Sequence, residues 1–168
     1  GTGNIGAEMA RLGRALGMDV IAWTFNPTPA RAAELGVRFV DDLNDLLAQS
    51  DYVSLHVALT DDTRGLIGAD QLAAMKSTAV LLNGARGPVV DLDALAAALA
   101  ADELAGAGLD VFPDEPFVAE HPINACEQVV MTPHAADQTA EGVDLLNGGA
   151  VDNVIAFLEG RPQHNVAL

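Results

Sequence analysis

Cysteine is almost absent from this chain. Cys126 is the only one, so no internal disulfide can form, and a reducing, cytoplasmic setting is the expectation. Lysine is equally scarce, with Lys76 standing alone. No uninterrupted apolar run approaches the ~20 residues that a membrane helix needs, which predicts a soluble protein. The histidines are scattered and no Cys/His spacing of the zinc kind exists, so no metal site is expected. Internal repeats and low-complexity segments are also missing. Basic residues number 8 against 24 acidic ones, and the resulting charge of −16 argues against binding nucleic acid or an anionic membrane. Asp outnumbers Glu two to one and alanine is abundant. Two explanations stay open here: a carboxylate-rich surface adapted to high salt, or codon usage from GC-rich DNA.

What is present begins at once. Gly1-Thr2-Gly3-Asn4-Ile5-Gly6 is a Gly-x-Gly-x-x-Gly turn leading into a helical stretch, Ala7 to Leu16. In a dinucleotide-binding turn the first glycine makes the bend, the second admits a pyrophosphate close to backbone, and the third packs helix on sheet. The phosphates then meet free N–H groups at the positive end of the helix dipole. The hydrophobic strand that precedes such a turn is not in this sequence. The chain is therefore expected to be a piece of a longer protein, with its first strand truncated.

Short apolar runs alternate with helical patterns along the rest, the signature of a parallel sheet wrapped by crossover helices. Strands are predicted at Asp19 to Trp23, Val37 to Val40, Tyr52 to Val57, Ala79 to Leu82, Gly106 to Val111 and Val129 to Thr132. Helices are predicted at Pro29 to Leu35, Leu43 to Gln49, Ala69 to Met75 and Leu92 to Ala101, the last after Asp91 as N-cap. A longer helix, Ala136 to Leu158, contains Gly142, Gly148 and Gly149, which predict a kink or break. The stretch Phe112 to Gln128, with its prolines and no periodicity, reads as a functional loop. The fold class is thus α/β, a doubly wound parallel sheet of Rossmann type, with a dinucleotide-binding domain over 1–160 and a C-terminal tail over 161–168.

Ligands of such sheets bind beyond the carboxyl ends of the strands. There the sequence places Arg86, within Asn83-Gly84-Ala85-Arg86-Gly87, then Asp114-Glu115 and His134, while Tyr52 to Val57 ends in His56 and Val57. Arg presents a planar fork for a carboxylate, and His can exchange a proton with a carbonyl oxygen near neutral pH. A neighbouring Glu would orient the imidazole and favour its charged form. Together these groups suit the reduction of a 2-oxo acid.

The segments Gly1 to Gly6, Asn83 to Asp91, Gly108-Leu109-Asp110-Val111-Phe112-Pro113-Asp114-Glu115-Pro116 and Thr132-Pro133-His134 closely resemble the D-isomer-specific 2-hydroxyacid dehydrogenases, which include phosphoglycerate, glyoxylate and hydroxypyruvate reductases. The resemblance covers essentially the whole chain. It implies that Arg86 binds the substrate carboxylate, that His134 is the acid/base, and that Glu115 supports it. It further implies cofactor contacts from the turn (Gly1, Gly3, Asn4, Ile5, Gly6) and from Thr24, Val57, Thr63, Gly84, Ala85, Arg86, Asp110 and His134, with Asp110 toward the nicotinamide carboxamide. The implied cofactor is NAD or NADP, the partner a small 2-oxo or 2-hydroxy acid, and the assembly a homodimer through the nucleotide domain.

Two departures stand out. Where relatives that prefer NAD carry an acidic residue at the end of the second strand, this chain has Thr24, and Arg31 follows a few residues later on a helix. The substrate domain is mostly missing; only 161–168 could belong to it. Alternatives at single residues are a strand cap or an Asp91 pair for Arg86, Asp114 in place of Glu115, a turn cap for Asp110, and a packing role for His56. His121, His164 and Cys126 carry no assigned role. For the chain as a whole, the alternatives are a non-catalytic NAD-sensing corepressor of the same fold, or nucleotide binding alone.

Overall fold

The structure, a computed structural model, describes residues 1–163. The chain divides into two compact units, Gly1–His134 and Ala135–Leu168. The first alternates helix and strand: α1 (Asn4–Ala15), β1 (Ile21–Ala22), α2 (Pro29–Leu35), β2 (Arg38–Phe39), α3 (Leu43–Gln49), β3 (Tyr52–Leu55), α4 (Ala69–Ala74), β4 (Val80–Asn83), α5 (Leu92–Ala100), β5 (Gly106–Leu109) and β6 (Val129–Met131). Every strand pairing is parallel, as crossover helices require.

Helix starts follow their caps. Thr28 accepts from the Arg31 N–H ahead of α2, Asp42 accepts from Asn44 and Asp45 ahead of α3, and Asp91 accepts from Ala94 ahead of α5. In α2, Pro29 sits at a first-turn position where its missing N–H costs nothing, and Gly36 ends the helix in the left-handed conformation.

The strands do not form one sheet. β3, β4, β5 and β6 make a four-stranded sheet in that order, whereas β1 and β2 pair only with each other. No strand among the described residues lies between β1 and β3. Instead, an open, largely apolar cavity of about 1050 Å³ separates them, lined by Ala10 of α1, Val20 and Ala22 near β1, and Val53 and Leu55 of β3. The core divides in the same way. A large cluster around the fully buried Leu47, Ile67, Leu72, Leu81, Val89, Leu95, Leu99 and Ile123 supports the four-stranded sheet, while Ala10, Leu35 and Val37 form a small one against β1 and β2. At ~25 cal/mol per Å² of apolar area removed from water, the larger cluster contributes most of the hydrophobic stabilisation.

The loop expected over Phe112 to Gln128 contains one short element, a 3-10 turn at Pro122–Ala125, whose start is capped by His121 Nδ1 accepting from Ile123 N–H at 3.1 Å. In the second unit, α6 (Ala140–Leu158) starts four residues later than Ala136 because Thr139 caps it, accepting from Gly142 N–H at 2.9 Å. The expected break is absent: α6 is one continuous helix through Gly142, Gly148 and Gly149. Glycine lowers helix propensity, but unlike proline it keeps its N–H, so the hydrogen-bond ladder continues. Of the tail expected over 161–168, residues 164–168, His164 among them, lie outside the described residues.

Candidate active site

The glycine turn is shaped by close packing. Gly1 donates from its amino nitrogen to the Trp23 carbonyl at the end of β1, at 2.9 Å. A side chain at Gly6 would put its Cβ 2.2 Å from the Gly1 carbonyl oxygen, so only glycine lets α1 start so near the turn. A Cβ at Gly3 would meet nothing within 4 Å. Gly3 therefore faces open space at the head of α1, where Asn4 and Ile5 are exposed. The first turn of α1 carries no acidic residue to offset the helix dipole, so its leading N–H groups remain suited to an anion. These residues fit the pyrophosphate of a dinucleotide.

The carboxyl ends of β3, β4, β5 and β6 lie at one edge of their parallel sheet and are followed by Val57, Thr63, Gly84, Ala85, Arg86, Asp110, Glu115 and His134, whereas Thr24 follows β1. Val57 is the second residue after β3, and its backbone nitrogen lies 3.0 Å from the position a Gly1 Cβ would take. Thr63 is buried, and its hydroxyl donates to Ala58 O at 2.6 Å while accepting from Thr60 N–H at 2.8 Å. Its side chain thus holds the turn after β3 rather than facing open space. At the end of β4, Asn83 is buried and frames the next turn from both sides. Its Oδ1 accepts from Ala85 N–H and its Nδ2 donates to Arg86 O, each at 3.1 Å. This fixes Gly84, Ala85 and Arg86 in a tight bend. The resemblance implies no role for Asn83; an Asn closing a strand is the signal that reveals such a turn.

Arg86 is exposed and donates from Nη1 to Ala85 O at 2.7 Å. The next residue locks this turn to the loop after β5: a Cβ at Gly87 would lie 2.1 Å from Phe112 O. Across that contact, Phe112 N–H donates to Glu115 Oε1 at 3.0 Å, and Glu115 Oε2 meets His134 Nδ1 at 2.7 Å. Glu115, and not Asp114, is the carboxylate that reaches the histidine. His134 holds a left-handed backbone with φ of 52°, uncommon for a non-glycine residue and characteristic of sites where geometry is over-determined by surroundings.

The pair shifts both groups. The hydrogen bond and charge of Glu115 raise the His134 pKa above its ordinary 6.5, with a smaller rise from Asp110 and an opposing push from the Arg86 cation. The hydrogen bond from His134, then that from Phe112 N–H, lowers the Glu115 carboxyl below its ordinary value. Arg86, Asp110, Glu115 and His134 therefore share one electrostatic neighbourhood. Asp110 is itself held by Thr132, whose hydroxyl donates to Asp110 Oδ1 at 2.5 Å.

His56 is half-buried, with Nε2 2.8 Å from Ser54 Oγ, and burial lowers its pKa. His121 caps the 3-10 turn and faces Asp93 at 3.3 Å. Cys126 is partly buried against the large core cluster.

Residues 1–136 match the family described as D-isomer specific 2-hydroxyacid dehydrogenase, NAD binding domain. The chain belongs to this family. It is 42% identical over 166 residues to a glyoxylate reductase of Aeropyrum pernix, covering 99% of this chain and 49% of that one. It is 39% identical over 168 residues to a glycerate dehydrogenase of Methylorubrum extorquens, covering 99% and 51%. Among solved structures, a D-lactate dehydrogenase from Aquifex aeolicus complexed with NAD and lactic acid superposes with a TM-score of 0.86 at 34% identity, over 96% of this chain and 52% of that one. The chain spans about half the length of these two curated relatives.

Proposed function

We propose that the protein containing this chain transfers hydride between a nicotinamide cofactor and a small 2-oxo or 2-hydroxy acid, of the glyoxylate, hydroxypyruvate or phosphoglycerate kind. The observation that carries this reading is the 2.7 Å pair of Glu115 and His134 within electrostatic reach of Arg86. Family membership supports it, as do relatives named for reductions of this type.

In this reading the nicotinamide, when bound, supplies or accepts the hydride. Gly1, Gly3, Asn4, Ile5 and Gly6 hold the pyrophosphate, and Thr24, Val57, Thr63, Gly84, Ala85 and Asp110 border the rest of the cofactor, Val57, Thr63, Gly84 and Ala85 through backbone or turn shape. Arg86 binds the substrate carboxylate with its guanidinium fork, fixing which face of the carbonyl is presented. Glu115 occupies His134 Nδ1, so Nε2 is the nitrogen that gives its proton to the substrate oxygen. The carboxylate keeps the imidazolium populated near neutral pH and stabilises its charge. In the oxidative direction neutral His134 takes the same proton back.

Partners follow from the same reading. The exposed Leu145, Leu146, Val151, Val154, Ile155 and Phe157 of α6 form an apolar surface that a second copy, packed through the nucleotide domain, would cover. The chain's single cysteine agrees with a reducing, cytoplasmic setting.

The test is an assay of the intact protein with both reduced cofactors and a panel of 2-oxo acids. His134→Asn should lower turnover by about a hundred- to ten-thousandfold, the usual cost of removing a positioned acid/base, while cofactor still binds. Near-normal turnover in that variant would remove His134 from the reaction. Cofactor binding with no turnover on any acid would favour a nucleotide-sensing protein.

A further inference from the structure

Arg31 is the only basic side chain between Trp23 and Val37. It does not extend into solvent. Nη2 donates to the Thr2 carbonyl oxygen at 2.7 Å and Nη1 to Glu34 Oε1 at 2.7 Å, leaving the side chain 29% exposed. Thr2 lies between the first two glycines of the turn. On the same stretch, Gly1 donates to Trp23 O at 2.9 Å. The end of β1 and the first turn of α2 therefore both meet the opening residues of the turn, and Thr24 follows directly on Trp23.

In this class of sheet the adenosine ribose lies at this strand end, where a carboxylate accepts hydrogen bonds from the ribose hydroxyls and repels a 2′-phosphate. Here that place holds a neutral threonine. From Thr24 onward the first acidic residue is Glu34, and its carboxylate is already paired with Arg31.

We propose that Arg31 is a specificity-determining residue that holds the 2′-phosphate of NADP(H) beside the uncharged Thr24. The site then prefers a phosphorylated to an unphosphorylated adenosine ribose. This rests on reading the glycine turn as the seat of the cofactor's pyrophosphate. The bond to Thr2 anchors the guanidinium, so little side-chain freedom is lost when phosphate arrives. A phosphate with more than one negative charge outcompetes the exposed Glu34 carboxylate for the same planar fork. Partial burial weakens the screening of that attraction by salt.

Calorimetric titration of the intact protein with ADP-ribose and 2′-phospho-ADP-ribose tests this without any reaction. The two probes differ only in the 2′-phosphate. The phosphorylated probe should bind at least about tenfold more tightly, the factor that one charge-assisted hydrogen bond of ~1.5 kcal/mol or more supplies. Arg31→Gln should abolish the preference. The ratio of affinities is the quantity to read, because a turn merely loosened by loss of the Thr2 bond would weaken both probes alike. If that variant does not fold, Thr24→Asp serves instead, and it should reverse the preference with Arg31 still in place. Equal or better binding of ADP-ribose by the unaltered protein, or a preference that survives Arg31→Gln, overturns the proposal while leaving the turn as a pyrophosphate site. Failure of both probes to bind overturns the reading of the turn, and the proposal falls with it.

Discussion

Glu115 and His134 form the pair on which the proposed chemistry turns, and their mutual shifts make a prediction about pH. The proposed reduction requires protonated His134. Because Glu115 raises the histidine's pKa above 6.5, reductive activity should persist above that pH and fall as pH rises through the raised value. Glu115→Gln keeps an oxygen for Phe112 N–H but removes the charge, so the falling limb should move toward lower pH. The rising limb of the oxidative reaction should move the same way. An unmoved profile in kinetic titrations would mean that Glu115 does not set the histidine's charge. Arg86 makes a separate prediction. Arg86→Lys retains a cation but loses the two-pronged fork, so the Michaelis constant for the 2-oxo acid should rise by at least about tenfold, a loss of ~1.4 kcal/mol of binding. A purely structural Arg86 would instead lower the melting temperature and leave substrate affinity unchanged. Arg86, Glu115 and His134 were legible as candidates from residue chemistry and motif order, because each follows a predicted strand. Asn83 and Thr132 acquired their roles from geometry, since what each holds lies in a turn or just beyond a neighbouring strand.

Elements were legible wherever a local signal marks their ends. Pro29–Leu35 and Leu43–Gln49 have the bounds that their caps and apolar periods predict. Strand ends were not. Asp19 to Trp23 contains a strand of only Ile21–Ala22, and Tyr52 to Val57 one of Tyr52–Leu55, since a strand lasts only as long as its neighbour's ladder does. The junction between elements carries the next prediction. Gly87 lets the turn after β4 touch the loop after β5, and an added Cβ would meet the backbone of Phe112 and Pro113 at 2.0 to 2.4 Å. Backbone atoms cannot swing aside as a side-chain tip can. Gly87→Ala should therefore cost about 1–3 kcal/mol of stability and displace Glu115 relative to His134. Thermal melts with parallel kinetics check both effects; a variant of normal stability and activity would show that the two loops can separate freely.

At the scale of the whole molecule the dominant feature is charge. Against 24 acidic residues stand 8 basic ones. The pairs Glu8–Arg11, Glu34–Arg31, Asp51–Lys76 and Glu159–Arg161 take up basic partners, and most carboxylates remain in excess. Added salt screens like-charge repulsion over distances beyond about 10 Å at 0.1 M. The melting temperature should accordingly rise as sodium chloride increases from ~0.1 to 1 M. A flat or falling trend in calorimetry would mean that net repulsion does not limit stability.

The sequence by itself determined the α/β class, the parallel crossover pattern and the identities of the residues at the strand ends. Hydrophobic period, caps and turn chemistry act over a few residues, so they can be read along the chain. Only the tertiary structure decided that Glu115 and not Asp114 meets His134, that Thr63 is spent inside its own turn, and that α6 runs on through its glycines. Each of these depends on which distant atoms come within hydrogen-bond or packing distance, and that is set by how the elements close on one another.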